Sequence, residues 1–200
     1  MTGIDFVGYE VLIEFIEERR LYELEGDIIE IGSFMGGGTA KLARYAARYG
    51  KKAYAVDVFD ITRDTTPGAD GTPMCDVYQA FLEGRSQAEV YAETIKGLDN
   101  VVTIAGDSRG VRLPEGQAFM FGFIDGNHQP EYVTNDFYLV WRCLVPGGAV
   151  AFHDYGCELP EVTAAIDGLV ERHRDEIENV EEIREKHIIL LTRKRKAARE

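Results

Sequence analysis

The chain has 200 residues, 45% hydrophobic and 28% charged, enough apolar sequence for one domain with a buried core and too much for a disordered tail or a disulfide scaffold. Its 22 Lys and Arg against 35 Asp and Glu leave a net charge of −13, a field that repels a phosphate backbone and argues against nucleic acid as a partner. Cys75, Cys143 and Cys157 form no CxxC pair and no apolar run approaches a membrane span, so the expectation is a cytoplasmic protein that neither enters nor crosses a membrane.

In residues 1–25, Val11, Leu12, Phe15 and Ile16 repeat at helical spacing and predict an amphipathic helix over about 8–20. A first strand, Asp27 to Ile31, runs into a glycine-rich turn and then a helix from Thr39 onward. Ala53 to Asp57 is a second strand, 86–97 a helix, Val101 to Ala105 a third strand and Phe119 to Ile124 a fourth. A helix over 130–143, the turn Pro146-Gly147-Gly148, a fifth strand from Ala149 to Phe152 and a helix over 160–174 follow. Val180 to Ile183 and His187 to Thr192 close the pattern as a terminal hairpin.

Continuous apolar strands alternating with helices predict one α/β domain, an open and mostly parallel sheet with helices on both faces. Residues 59–85, with Pro67, Gly68, Gly71 and Pro73, interrupt it as a lid or insert, in which Val77, Phe81 and Leu82 support a short helix. The basic run from Arg193, over 194–200, reads as a solvated tail.

Chemistry gathers where the strands end. The first turn, Glu30-Ile31-Gly32-Ser33-Phe34-Met35-Gly36-Gly37-Gly38-Thr39, offers a backbone that a ligand can approach and the free N–H groups of a helix start. Phe34 stands where a dinucleotide fingerprint has its second glycine, and no Gly-Lys-Ser/Thr follows, which disfavours a nicotinamide, a flavin or a P-loop. Asp57 ends the second strand, either as a ribose ligand or as a strand-end cap, and Asp107-Ser108 ends the third at the position of an adenine edge. Asp125 and His128 follow the fourth strand and His153-Asp154 the fifth, a convergence of ionisable groups that suits catalysis or a metal.

The ordered set Glu30-x-Gly-x-x-x-Gly, Asp57, Gly106-Asp107-Ser108, Asp125-Gly-x-His128-x-x-x-Tyr132, Asp136, Pro146-Gly147-Gly148 and His153-Asp154 resembles class I S-adenosylmethionine-dependent methyltransferases. Within them it is similar to the small catechol, macrocin and rhamnosyl O-methyltransferases. The resemblance covers about residues 26–193. It implies a Rossmann-like seven-stranded sheet whose last strand is antiparallel. It also implies cofactor contacts from Glu30, Gly32, Ser33, Gly36, Gly38, Thr39, Asp57, Asp107, Ser108 and Asp125.

Catechol-type enzymes hold magnesium at positions that correspond here to Asp125, His153 and Asp154, and His128 falls where they place a lysine base. A histidine in that ligand set suits manganese better than magnesium. His128 then acts as the base with Asp125 beside it, or else caps the following helix. The expected activity is O-methylation of a small-molecule hydroxyl by a chain that can form a homo-oligomer. Two other readings are a catalytically inactive S-adenosylmethionine-binding module and a metal-dependent hydrolase built on Asp125, His128, His153 and Asp154. Met74, Tyr78, Phe81 and Tyr155 are candidates for the acceptor pocket.

Overall fold

A computed structural model of the chain describes residues 5–66 and 71–195. In chain order the elements are α1 (Glu10–Glu18), β1 (Asp27–Ile31), α2 (Gly37–Ala47), β2 (Ala53–Asp57), α3 (Met74–Leu82), α4 (Gln87–Thr94), β3 (Val101–Ala105), β4 (Phe119–Ile124), α5 (Pro130–Trp141), β5 (Leu144–Phe152), α6 (Pro160–Arg172), β6 (Ile177–Ile183) and β7 (Ile188–Arg193). The seven strands form one sheet in the order β3-β2-β1-β4-β5-β7-β6. β3, β2, β1, β4 and β5 are parallel, and β7 is antiparallel to both of its neighbours. This is the expected Rossmann-like arrangement.

Successive residues of an apolar strand point to opposite faces, so one strand feeds two cores. Ile28, Ala149, Ala151, Ile188 and Leu190 pack with α1 and α2 on one face. Their neighbours Ile29, Val150, Phe152, Ile189 and Leu191 pack with α5 and α6 on the other. The helices begin where local chemistry starts them. Ser86 and Glu89 form a reciprocal capping box at α4, while Pro130 and Pro160 occupy first-turn positions in α5 and α6, where the missing N–H costs nothing.

Two boundaries depart from expectation. Pro146-Gly147-Gly148 is not a turn ahead of the fifth strand but lies inside β5. The β4 pairing steps from Phe119↔Leu144 to Phe121↔Ala149, so the intervening β5 residues are taken up as a bulge. His187 does not start the last strand, because it adopts a left-handed φ of 52° and closes the short turn between β6 and β7.

Arg193, the start of the basic run, is tied into the fold. Its guanidinium donates to the Trp141 and Leu144 carbonyls and stacks over the Trp141 ring. The run beyond Arg195 lies outside the described residues, as do Pro67 and Gly68. The insert over 59–85 contains the expected short helix, α3, and no helix among the described residues is long and apolar enough to cross a membrane.

Candidate functional site

The strand order reverses between β1 and β4, the point at which an open α/β sheet leaves a crevice at its carboxyl edge. A cavity of about 640 Å³ lies there. Of the sequence-predicted residues, Gly32, Asp57, Asp107, Ser108, Asp125, His128, His153 and Asp154 line it. Ser33 and Gly38 line a smaller adjoining cavity under residues 5–9. Glu30 and Thr39 line neither: both are buried beneath the turn, where the Thr39 hydroxyl donates to Glu30 Oε2.

The glycines of the turn answer to protein neighbours. A Cβ on Gly32 would sit 1.9 Å from the Asp125 carbonyl oxygen, and one on Gly38 would sit 2.1 Å from the Tyr9 ring. Gly36 likewise faces the Tyr91 ring. These close approaches let α2 and the turn nest between β4 and the N-terminal segment.

Asp57 braces this turn. Its Oδ2 accepts from the Ser33 and Phe34 amides at 2.9 and 2.8 Å, and its Oδ1 accepts from the Phe59 amide and Gln87 Nε2 at 2.7 and 3.0 Å. Phe34 and Phe59 both hold left-handed backbones, with φ of 43° and 51°. Hydrogen bonds from their own amides to a buried carboxylate hold these strained residues in place. Gln87, which also donates to the Phe34 carbonyl, is a site residue that sequence reasoning missed, since nothing local marks a glutamine 30 positions from its partner.

At the end of β3, Asp107 is bound by Arg109 at 3.0 Å and by the Tyr132 hydroxyl at 3.0 Å, and the guanidinium lies over the Tyr132 ring. The Arg109 hydrogen bonds hold the Asp107 carboxyl down at about 2. Ser108 faces Asp136, whose burial pushes its carboxyl up to about 6.

The ionisable groups after β4 and β5 form one cluster. His128 Nε2 lies 3.0 Å from Asp154 Oδ2, and His153 Nδ1 lies 3.2 Å from Asp125 Oδ1 and 3.1 Å from Asp154 Oδ1. Neighbouring residues of a strand point apart, yet His153 and Asp154 both reach Asp125's side of the cavity. The reason is a backbone turn: Asp154 has a φ of 61°. Tyr155, a candidate for the acceptor pocket, points elsewhere and its hydroxyl bonds Asp167, whereas Met74, Tyr78 and Phe81 do line the cavity.

Burial alone would lower the His153 pKa, but its two carboxylate partners outweigh burial and push it up to about 10. At neutral pH it is an imidazolium between two carboxylates. Burial likewise opposes charge on His128, and the Asp154 hydrogen bond raises it above its ordinary value despite that. Asp154, buried but paired with both rings, lies far below the usual carboxylate range.

Glu30 is shifted the other way. Burial raises it from 4.5 to about 7, against the pull of hydrogen bonds from the Thr39, Tyr9 and Ser33 hydroxyls. The folded protein therefore holds this proton through a window in which the unfolded chain releases it. Stability from this group is complete below about 4.5, falls as pH rises to about 7 and is level above that, a loss of order 3 kcal/mol. Urea titrations from pH 4.5 to 8 are expected to show a steeper decline in the wild type than in Glu30→Gln, where the raised Asp136 and His153 still contribute.

The sequence profile of a methyltransferase domain family matches residues 29–155. Solved structures share the fold at low identity. The O-methyltransferase NovP is 20% identical at a TM-score of 0.70, over 93% of this chain and 79% of NovP. CalS11, a TDP-rhamnose 3'-O-methyltransferase of calicheamicin biosynthesis, is 16% identical at 0.62, over 91% and 77%. MycE, a methyltransferase of the mycinamycin pathway in complex with Mg and SAH, is 14% identical at 0.61, over 96% of this chain and 50% of MycE.

Proposed function

The chain belongs to the methyltransferase domain family, and we propose that it moves the methyl group of S-adenosylmethionine to a hydroxyl oxygen of a small acceptor bound in the cavity at the carboxyl edge of the sheet. One observation carries the oxygen specificity: the His128–Asp154 pair, at 3.0 Å, opens into the same cavity as the Gly32 turn and Asp57. The O-methyltransferases that share the fold support it, and family membership sets aside the hydrolase reading.

S-adenosylmethionine supplies an electrophilic methyl carbon on a positively charged sulfur. Asp154 fixes the His128 ring through Nε2, which leaves Nδ1 to take the hydroxyl proton as the oxygen attacks. Ser33, which lines the adjoining cavity together with Gly32 and Asp125, would face the polar amino-acid end of the cofactor. Asp107 and Ser108 would meet the adenine. Asp57 shapes the turn that would carry the ribose.

Asp57→Ala removes an acceptor for four donors and is expected to weaken S-adenosylhomocysteine binding by about 1–3 kcal/mol. Calorimetry checks this. An unchanged dissociation constant would separate Asp57 from the cofactor site.

The donor set also fits a divalent cation. Asp125, His128 and Asp154 each offer a ligand atom, all within 4.8 Å of one another, and two carboxylates with an imidazole suit manganese better than magnesium. His128 belongs to this set, and His153, the third ligand that the resemblance implies, lies within 3.2 Å of both carboxylates through Nδ1. A bound cation would supply positive charge that favours the ionised acceptor oxygen.

Titration with S-adenosylhomocysteine, followed by labelled methyl transfer to a panel of hydroxyl acceptors with and without manganese, tests the proposal. Binding with turnover is expected. Binding without turnover on any acceptor would leave a cofactor-binding module.

A further inference from the structure

α3 turns an apolar stripe toward the cavity. Met74, Val77, Tyr78 and Phe81, at spacings i, i+3, i+4 and i+7, all line it, while Leu82 is the buried residue of the helix. Phe6 and Phe34 extend this wall: the Phe6 and Phe81 ring centroids are 4.8 Å apart, as are those of Phe34 and Tyr78. Phe6, Val58 and Phe81 are three of the four large hydrophobic side chains exposed on the described surface, and all three line the cavity. Isolated exposed apolar residues need no explanation, but their concentration around one cavity marks surface that a ligand covers.

The charges on the wall restrict the ligand further. Asp60 and Asp64 line the cavity near α3. Its two described arginines are engaged, Arg63 with Asp60 at 3.6 Å and Arg109 with Asp107 at 3.0 Å. No lysine is among the described lining residues. Without a bound cation, a charged acceptor such as a diphosphate would meet mainly carboxylates on this wall.

Resting on the methyltransferase reading of this cavity, we infer that the acceptor is a phenol-type compound, an uncharged aromatic ring carrying the hydroxyl, and not a sugar. The ring face lies on the α3 stripe and its hydroxyl edge meets His128 across the cavity. Phe81 is the specificity-determining residue, because an aromatic face prefers an offset or edge-on aromatic partner over a polyol.

Protein saturated with S-adenosylhomocysteine in chelator-treated buffer is titrated calorimetrically with catechol, methyl glucoside and UDP-glucose, and the titrations are repeated on Phe81→Ala. Catechol is expected to bind at least about tenfold more tightly than either sugar compound. Phe81→Ala is expected to lose about tenfold in catechol affinity with its S-adenosylhomocysteine affinity intact. Should that variant lose cofactor affinity, Met74→Ala from the same stripe replaces it. UDP-glucose or methyl glucoside binding as tightly as catechol would overturn the inference, as would a stripe variant within about twofold of wild type for catechol. Wild-type protein that fails to bind S-adenosylhomocysteine would overturn the methyltransferase reading itself, and the acceptor inference with it.

Discussion

Gly32→Ala is expected to destabilise the protein by about 2–6 kcal/mol and to abolish cofactor binding in the fraction that stays folded. Gly32 holds a φ of 87°, and its added Cβ would lie 1.9 Å from the Asp125 carbonyl oxygen, 2.5 Å from the Asp125 carbonyl carbon and 2.9 Å from the Gly126 Cα. All three are backbone atoms, so no rotamer change relieves the contact. Nor are the neighbours free to retreat, since the Gly32 amide donates to the Val56 carbonyl at 2.9 Å and the Asp125 amide to the Ile31 carbonyl at 2.8 Å.

The expected cost joins the strain of a left-handed alanine, about 1–3 kcal/mol, to that of overpacking, about 1–3 kcal/mol. Urea denaturation and calorimetry on the same samples measure both effects. From the sequence, Gly32 belongs to a turn whose backbone a ligand can approach. The structure places the requirement for glycine at the β1–β4 junction. A Gly32→Ala protein with a wild-type midpoint and wild-type S-adenosylhomocysteine affinity would show that this junction yields.

His128→Gln is expected to slow methyl transfer by about a hundredfold or more, with S-adenosylhomocysteine affinity unchanged. Glutamine keeps a polar side chain of similar reach beside Asp154 but cannot take a proton. The wild-type rate should rise with pH through a midpoint above the ordinary histidine value of about 6.5, because the Asp154 partner stabilises the imidazolium and only the neutral ring accepts a proton. That limb should vanish in His128→Gln.

Asp154→Asn removes the shared partner of His128 and His153 and should be as damaging, with the pH limb displaced downward as the imidazolium loses its counter-charge. Chelator separates the two ways in which the cluster can work. Turnover that stops in excess chelator and returns with manganese assigns Asp125, His128 and Asp154 to a cation, whereas turnover that persists leaves the His128–Asp154 pair as the whole apparatus. Wild-type rates from His128→Gln would remove the base altogether.

Local sequence is enough to specify the sheet and the edge at which the site lies. Apolar runs such as Phe119 to Ile124, with turn residues at each end, specify buried strands through interactions a few residues long. The polar residues that follow those strands must then emerge at one edge of a parallel sheet. For that reason Gly32, Asp57, Asp107, Asp125, His128 and Asp154 are legible in the sequence as one group.

Partners and facing were decided only by the tertiary structure. Asp57 gathers donors from Ser33, Phe34, Phe59 and Gln87, Gly38 makes room for Tyr9, and a left-handed Asp154 brings two consecutive side chains into one cluster. The same holds for the helical stripe of Met74, Val77, Tyr78 and Phe81, whose spacing reads equally well as core and which in fact faces the cavity. Periodicity records which side of an element is apolar. What that side meets depends on the register and approach of elements distant in sequence, and these are set by packing the whole chain.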